Sequence, residues 1–216
     1  MIAEFDKKWE YEIGFYLTCE KERIGKFLNQ LEIYKQILNV PGDIMEFGVY
    51  KGSSFMRLLA FRDLLEKGAN RKLVGFDAFG RFPKNLQLES DLEFVQRFEN
   101  EGGDGMTKSE LEGHLVNKKA SNFELIEGDI MQTLPTYIDD NPELKLSLIH
   151  IDVDVYEPSK LILELLWENL ESGGVLMLDD YGTVAGETKA VDEFFNGKAQ
   201  VNNLPYYHVP AYIVKS

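Results

Sequence analysis

Apolar positions along this chain change period several times, and each change marks an element. Between Lys21 and Leu38, Ile24, Phe27, Leu28, Leu31, Tyr34 and Leu38 recur at helical spacing until Pro41-Gly42 stops the run. Residues 1–40 therefore read as a helical cap, packed on a sheet or acting as a lid or dimer contact. Ile44, Met45, Phe47 and Val49 then form a short strand that leaves through Gly48 and Gly52 into a helix from about Ser53 to Lys67. Lys72–Phe76 is a second strand. Leu88, Leu92, Val95 and Phe98 suggest a helix, which Glu101–Gly105 breaks. Thr107-Lys-Ser-Glu110 has the form of a capping box for another helix to about Asn117.

Phe123–Glu127 is the third strand, and Thr133-Leu-Pro135 marks the entry to a short helix within Met131–Tyr137. Leu146–Val153 is almost wholly apolar, as a strand covered on both faces should be. Pro158 suits the first turn of a helix, Leu161, Ile162, Leu165, Leu166 and Leu170 form its stripe, and Gly173-Gly174 ends it. Val175–Leu178 is a fifth strand. A helix over Glu187–Asn196 turns Val191, Phe194 and Phe195 inward, and Tyr206–Val214 reads as two short strands broken at Pro210, a terminal antiparallel hairpin. Strands alternate with helices throughout, which predicts a doubly wound, mostly parallel α/β sheet over residues 41–216. Residues 80–120 are a long excursion at its ligand edge, expected to face substrate.

Composition narrows the partners. The 216 residues carry a formal net charge of −14, which argues against nucleic acid, since phosphate backbones are held by Lys/Arg clusters. Cys19 is the single cysteine, so an internal disulfide and a cysteine-based zinc site are excluded. The opening residues, Met1 to Lys8, lack an apolar signal core, and no apolar run approaches membrane-spanning length. A cytoplasmic protein without a membrane partner is expected. Its partner is expected to be a small molecule, with a homo-oligomer as a further candidate.

The chemistry gathers where strands end. Leu146–Ile151 runs into Asp152-Val-Asp154, and Val175–Leu178 into Asp179-Asp180, so two neighbouring parallel strands would present four carboxylates at one edge. Such a cluster repels itself unless a cation or strongly polar ligand sits within it. Glu46-Phe-Gly48-Val-Tyr-Lys-Gly52 is a strand–turn–helix passage whose glycines admit close backbone approach, although its spacing is not the Gly-x-Gly-x-x-Gly of a dinucleotide turn. A nicotinamide-dependent oxidoreductase ranks low for that reason. Asp77 ends the second strand, where it would accept ribose hydroxyls or cap a helix. Asp129 is expected at the same edge as Glu46 and Asp77. His150, inside an apolar strand, reads as a satisfied core residue. His208 could be an auxiliary base but is more often a structural residue in such a place, and Tyr181 would either line a substrate pocket or pack.

Together these segments resemble class I S-adenosylmethionine-dependent methyltransferases, and within them the macrocin O-methyltransferase (TylF-like) family. Asp77-Ala-Phe-Gly-Arg-Phe-Pro83, Gly128-Asp-Ile-Met-Gln-Thr-Leu-Pro135, Ile151-Asp-Val-Asp-Val-Tyr-Glu157 and Asp179-Asp-Tyr181 carry the resemblance. Lys51 stands where relatives often have arginine, and Ala78 where serine is common. The resemblance implies a Rossmann-like sheet of seven strands with an antiparallel C-terminal strand. It implies cofactor contacts from Glu46, Gly48, Tyr50, Gly52, Ser53, Asp77, Ala78, Phe79, Gly128, Asp129, Ile130 and Asp152, the last facing the methionine end of S-adenosylmethionine. It also implies magnesium or another divalent cation on Asp154, Asp179 and Asp180, with Asp154 accepting the proton of a sugar or secondary-metabolite hydroxyl. The alternatives are a metal-dependent hydrolase or oxygenase on the same sheet, and a non-catalytic cofactor-binding protein.

Overall fold

The computed structural model describes residues 4–66, 71–83, 86 and 88–216. Part of the opening segment, Lys67 at the expected end of the helix after Gly52, and part of the 80–120 excursion lie outside them. Strands β1 (Asp43–Phe47), β2 (Leu73–Asp77), β3 (Phe123–Glu127), β4 (Leu146–Ile151), β5 (Leu170–Leu178) and β6 (Ala211–Val214) form one sheet in the order β3-β2-β1-β4-β5-β6. All neighbours are parallel except β5 and β6. The sheet reverses direction of growth between β1 and β4, and the carboxyl ends of those strands flank the crevice where such folds take ligands.

Alternate residues of the central strands feed two separate cores, one on each face. Met45, Phe47, Phe76, Ile149, Ile151, Leu176 and Leu178 pack with α6 (Ile130–Asp140), α7 (Tyr156–Leu166) and α8 (Ala185–Phe194). Ile44, Leu73, Leu148, Val175 and Met177 pack with α2 (Lys21–Gln36), α3 (Ser53–Leu65) and α5 (Lys108–Asn117). Cover on both faces explains why β4 is buried at all six positions and reads as a continuous apolar run. The excursion holds α4 (Glu89–Gly102) and α5, and α5 starts at the expected capping box, with Thr107 and Glu110 bonding each other's backbone N–H. Among the described residues, no helix is long and apolar enough to cross a membrane.

Four expectations need correction. Six strands are present among the described residues, not seven. The tail contributes only β6; in place of a hairpin strand at Tyr206–His208, a single antiparallel bridge joins Asn202 to Tyr212. Leu170 belongs to β5 rather than to the stripe of α7, because it pairs with Leu146, and Gly173-Gly174 lie within that strand. Pro135 sits inside α6, which begins at Ile130 with Asp129 as its cap. The helix expected around Leu88–Phe98 is present as α4, with Asp91 buried in it.

The largest correction concerns α2. The face it buries is Gly25, Asn29, Gln30, Ile33 and Tyr34; of the expected stripe, Tyr34 is inside, Leu31 and Leu38 pack against that core, and Ile24 and Phe27 are turned outward. Polar Asn29 earns its place inside because its Nδ2 donates to the carbonyls of Tyr207 and Val209. The preceding α1 (Lys8–Thr18) buries no residue, and Trp9, Ile13 and Leu17 are well exposed.

Candidate active site

The turn between β1 and α3 is shaped by glycine. Gly48 has φ +89, and a Cβ there would meet the Asp152 carbonyl oxygen at 1.8 Å, so no other residue fits. Gly52, at φ +76, caps α3 without a side-chain bond. Asp77 holds this turn from the next strand. Its Oδ2 accepts from the N–H groups of Val49 and Tyr50, both at 2.7 Å, and its Oδ1 from Phe79 N–H at 2.6 Å. A carboxylate has about four lone-pair sites, so three backbone donors leave Asp77 one on Oδ1. Clamping the glycine turn is thus a third role beside the two the sequence suggested. Tyr50 extends the turn to the excursion: its hydroxyl donates to Gly102 O at 2.7 Å and its ring meets Phe98 edge-on.

A cavity of about 1060 Å³ opens at this edge, large enough for a nucleoside cofactor and a substrate together. Gly48, Tyr50, Ser53, Asp77 and Ala78 line it, as do Gly128, Asp129, Ile130, Asp152, Asp154, Asp179 and Asp180. Three expected contacts do not reach its wall. Glu46 is fully buried beneath it, accepting from Ser54 Oγ; Gly52 lies against Leu111; and Phe79 packs in the α3-side core. His208 is exposed, lies against Tyr207 and is away from the cavity lining. Tyr181 packs against the core and donates to Asp192 at 2.8 Å.

The four expected aspartates converge, and the cation they require is partly built in. Lys26 Nζ of α2 forms an ion pair with Asp179 Oδ2. His150 Nε2 lies 3.4 Å from Asp179 Oδ1, and its Nδ1 is 3.9 Å from Glu46 Oε1. Burial is the largest influence on His150 and pushes it down, yet Asp179 and Glu46 together push it up to about 10. Asp179 itself is held well below the usual carboxylate range: burial opposes this, and His150 and Lys26 overcome it. His150 is therefore a core residue, as expected, but one wired into the site and not fully satisfied, since its Nδ1 has no hydrogen-bond partner among the described residues.

The remaining carboxylates are less well served. Burial, then repulsion from Asp180, pushes Asp154 well up; burial, then Asp179, raises Asp180. Asp180 Oδ2 is buried with no hydrogen-bond partner among the described residues. Asp154 takes φ +65, a strained backbone state of the kind found at functional positions. Asp152 is also pushed well up, by burial and then by Asp179. Among the described residues, His150, Asp152 and Asp179 bring metal-type donor atoms within 4.8 Å of one another, a group that leaves out Asp154 and Asp180. Behind Asp180 lies Glu187, fully buried, whose Oε1 accepts from Asp180 N–H at 3.1 Å.

Lys26, Gln30, Arg57 and Glu187 were not singled out from the sequence. The one available signal was polar spacing in α2, where Lys26, Asn29 and Gln30 recur at i, i+3 and i+4.

Comparison with known proteins places this geometry. Residues 15–205 match the family described as Macrocin-O-methyltransferase (TylF). A curated protein of Streptomyces olivaceus, 8-demethyl-8-(2,3-dimethoxy-alpha-L-rhamnosyl)-tetracenomycin-C 4'-O-methyltransferase, is 30% identical over 151 residues, covering 66% of this chain and 54% of that protein. The chain thus spans about half the length of that curated relative. The crystal structure of the calicheamicin methyltransferase CalS11 superposes with a TM-score of 0.74 at 26% identity, covering 95% of this chain and 84% of that one. A second, apo structure, described as TDP-rhamnose 3'-O-methyltransferase, gives 0.71 at 29%, covering 96% and 86%. The O-methyltransferase NovP gives 0.77 at 20%, covering 89% and 80%, and shares the fold.

Proposed function

The chain belongs to the macrocin O-methyltransferase family, and from that premise we propose that it transfers the methyl group of S-adenosylmethionine to a small-molecule hydroxyl. The observation that carries this reading is one cavity lined both by the Asp77-clamped glycine turn and by Asp152, Asp154, Asp179 and Asp180. A hydrolase or oxygenase would use the carboxylates but has no need of that turn. The names of two of the relatives concern rhamnosyl groups, which favours a sugar hydroxyl as acceptor.

In this reading the adenosyl end lies against Ala78 and Gly128–Ile130, and the methionine end against Gly48 and Asp152. Asp154 takes the acceptor's proton; its raised proton affinity, from burial and from Asp180, suits a base. The wall then fixes the hydroxyl in line with the sulfonium methyl.

A divalent cation fits the donor set in part. Asp154 and Asp180 offer the oxygen donors that suit magnesium, with a buried oxygen on Asp180 unpartnered among the described residues, while the donor atoms gathered within 4.8 Å are those of His150, Asp152 and Asp179. Asp179 is the expected third ligand, but one of its oxygens is committed to Lys26. When bound there, such an ion would supply positive charge and lower the pKa of a coordinated hydroxyl. The exposed apolar residues of α1 suit a contact between copies of the chain.

Calorimetry with S-adenosylhomocysteine, with and without magnesium, tests the cofactor. Transfer of labelled methyl to rhamnosides and nucleotide sugars tests the acceptor. Absence of binding at submillimolar S-adenosylhomocysteine would overturn the proposal.

A further inference from the structure

A second unbalanced group of charges faces the same cavity, of opposite sign to the first. Arg23 and Gln30 of α2 and Arg57 of α3 all line it. Gln30 is fully buried, and its Oε1 accepts from Arg57 Nη1 at 3.0 Å, which fixes which way the amide points. Its Nε2 is then a buried donor with no acceptor. A donor in that condition costs free energy until something accepts from it.

The guanidinium of Arg57 has the same deficit. Its only hydrogen bond among the described residues is the one to Gln30, and its flat face lies over the Phe27 ring. Burial, then repulsion from Arg23, lowers its proton affinity. Among the described residues neither forms a salt bridge, in a protein with 37 acidic side chains. Two arginines on the wall of one cavity and an orphan amide donor, with so much carboxylate elsewhere, make a site built for an anion from outside the chain. The N-terminus of α3, whose Gly52 cap offers no side-chain acceptor, adds favourable dipole on the same side.

We propose that Arg23, Gln30 and Arg57 form the subsite for the α-carboxylate of the cofactor's methionyl end, an assignment that rests on the cofactor reading above. Position favours this anion over a phosphate of the acceptor. Arg57 stands on the second turn of α3, directly after the glycine turn, and its partner Gln30 lies one turn along α2 from Lys26, which pairs with Asp179 at the end of β5. That is the β1–β4 side of the cavity, opposite the Ala78 and Gly128–Ile130 side reserved for the adenosyl group. An anion site beside the Asp152 carboxylate matches a zwitterion: the α-carboxylate goes to the arginines and Gln30, the α-ammonium to Asp152. A phosphate would gain nothing from the neighbouring aspartate.

The test is calorimetry with two ligands, S-adenosylhomocysteine and its decarboxylated analogue, S-adenosyl-3-thiopropylamine, which keeps the ammonium and the thioether. The wild-type protein should prefer the first by about 10- to 100-fold, the range of a charge-assisted hydrogen-bonded contact. Arg57→Met should lose most of that preference by weakening S-adenosylhomocysteine alone. Arg23→Met, at an exposed position that leaves the fold intact, should lose part of it. The assignment is overturned if the wild-type protein binds both ligands equally, or if the variants weaken both to the same extent. It is also overturned if the variants keep S-adenosylhomocysteine affinity and lose a nucleotide sugar instead, which would give the subsite to the acceptor. A wild-type protein that binds neither adenosyl compound would remove the cofactor reading itself.

Discussion

Replacing Lys26 by methionine keeps the length and packing of the side chain while deleting the one lysine ammonium paired within the acid cluster. In the native protein that ammonium pairs with Asp179, with side-chain exposures of 19% and 4%, and its attraction extends to Asp152 and Asp180. Removing one partner of a buried ion pair costs about 3–5 kcal/mol, because the other charge is left without compensation. Here His150 remains on the other oxygen of Asp179, and the cavity side is open to solvent, so about 2–4 kcal/mol is expected. For a chain of this size that lowers Tm by roughly 10 °C. Urea unfolding in the presence of a chelator measures it. The double variant Lys26→Met/Asp179→Asn removes both charges and should recover most of the loss, giving a coupling energy above about 1 kcal/mol. Millimolar magnesium should stabilise Lys26→Met more than the wild-type protein, since it supplies charge where the ammonium was. If Lys26→Met unfolds with the wild-type midpoint, or the double variant is no better than the single one, the ion pair does not hold the cluster together.

Three further outcomes are expected from the same geometry. Gly48→Ala forces a left-handed backbone on a residue with a Cβ, about 1–2 kcal/mol, and drives that Cβ into the Asp152 carbonyl. A total loss of about 2–5 kcal/mol is expected, together with loss of S-adenosylhomocysteine binding; a stable variant with native affinity would show that the turn is not the cofactor cradle. Asp154→Asn should reduce methyl transfer by about 100- to 10,000-fold, with cofactor affinity changed less than about threefold; a loss confined to binding would refute its role as base. Glu187 is buried with its carboxyl pushed well up, by burial and then by Asp180, so its folded-state value lies above its unfolded one. The stability it contributes is complete below the unfolded value near pH 4.5 and is lost as pH rises towards the folded value. Glu187→Gln keeps the acceptor for Asp180 N–H and should raise the urea midpoint at pH 8 but not at pH 4; a variant less stable at pH 8 would reverse that sign.

What the sequence made legible depends on whether a residue's role is set by its own element or by a partner. The capping box at Thr107 and Glu110 is local chemistry, and it formed where its letters stand. The central strands were legible because burial on both faces leaves uninterrupted apolar runs, and the four aspartates because each pair closes such a run. Leu170 was misplaced because it continues the i+4 spacing of α7 after the chain has already turned to pair with Leu146. In α2 the fold leaves the first part of the apolar stripe, Ile24 and Phe27, outside. The buried face instead carries Lys26, Asn29 and Gln30, whose partners are Asp179, the Tyr207 and Val209 carbonyls, and Arg57. Lys26 and Asp179 are 153 residues apart, and nothing in the neighbourhood of either predicts the other. The acid cluster was read as needing a cation or a strongly polar ligand, and the family resemblance then supplied a divalent metal. The fold brings a cation from α2, so the charge a metal must supply is smaller than four aspartates alone would demand. That difference is what the Lys26→Met series measures, with and without magnesium.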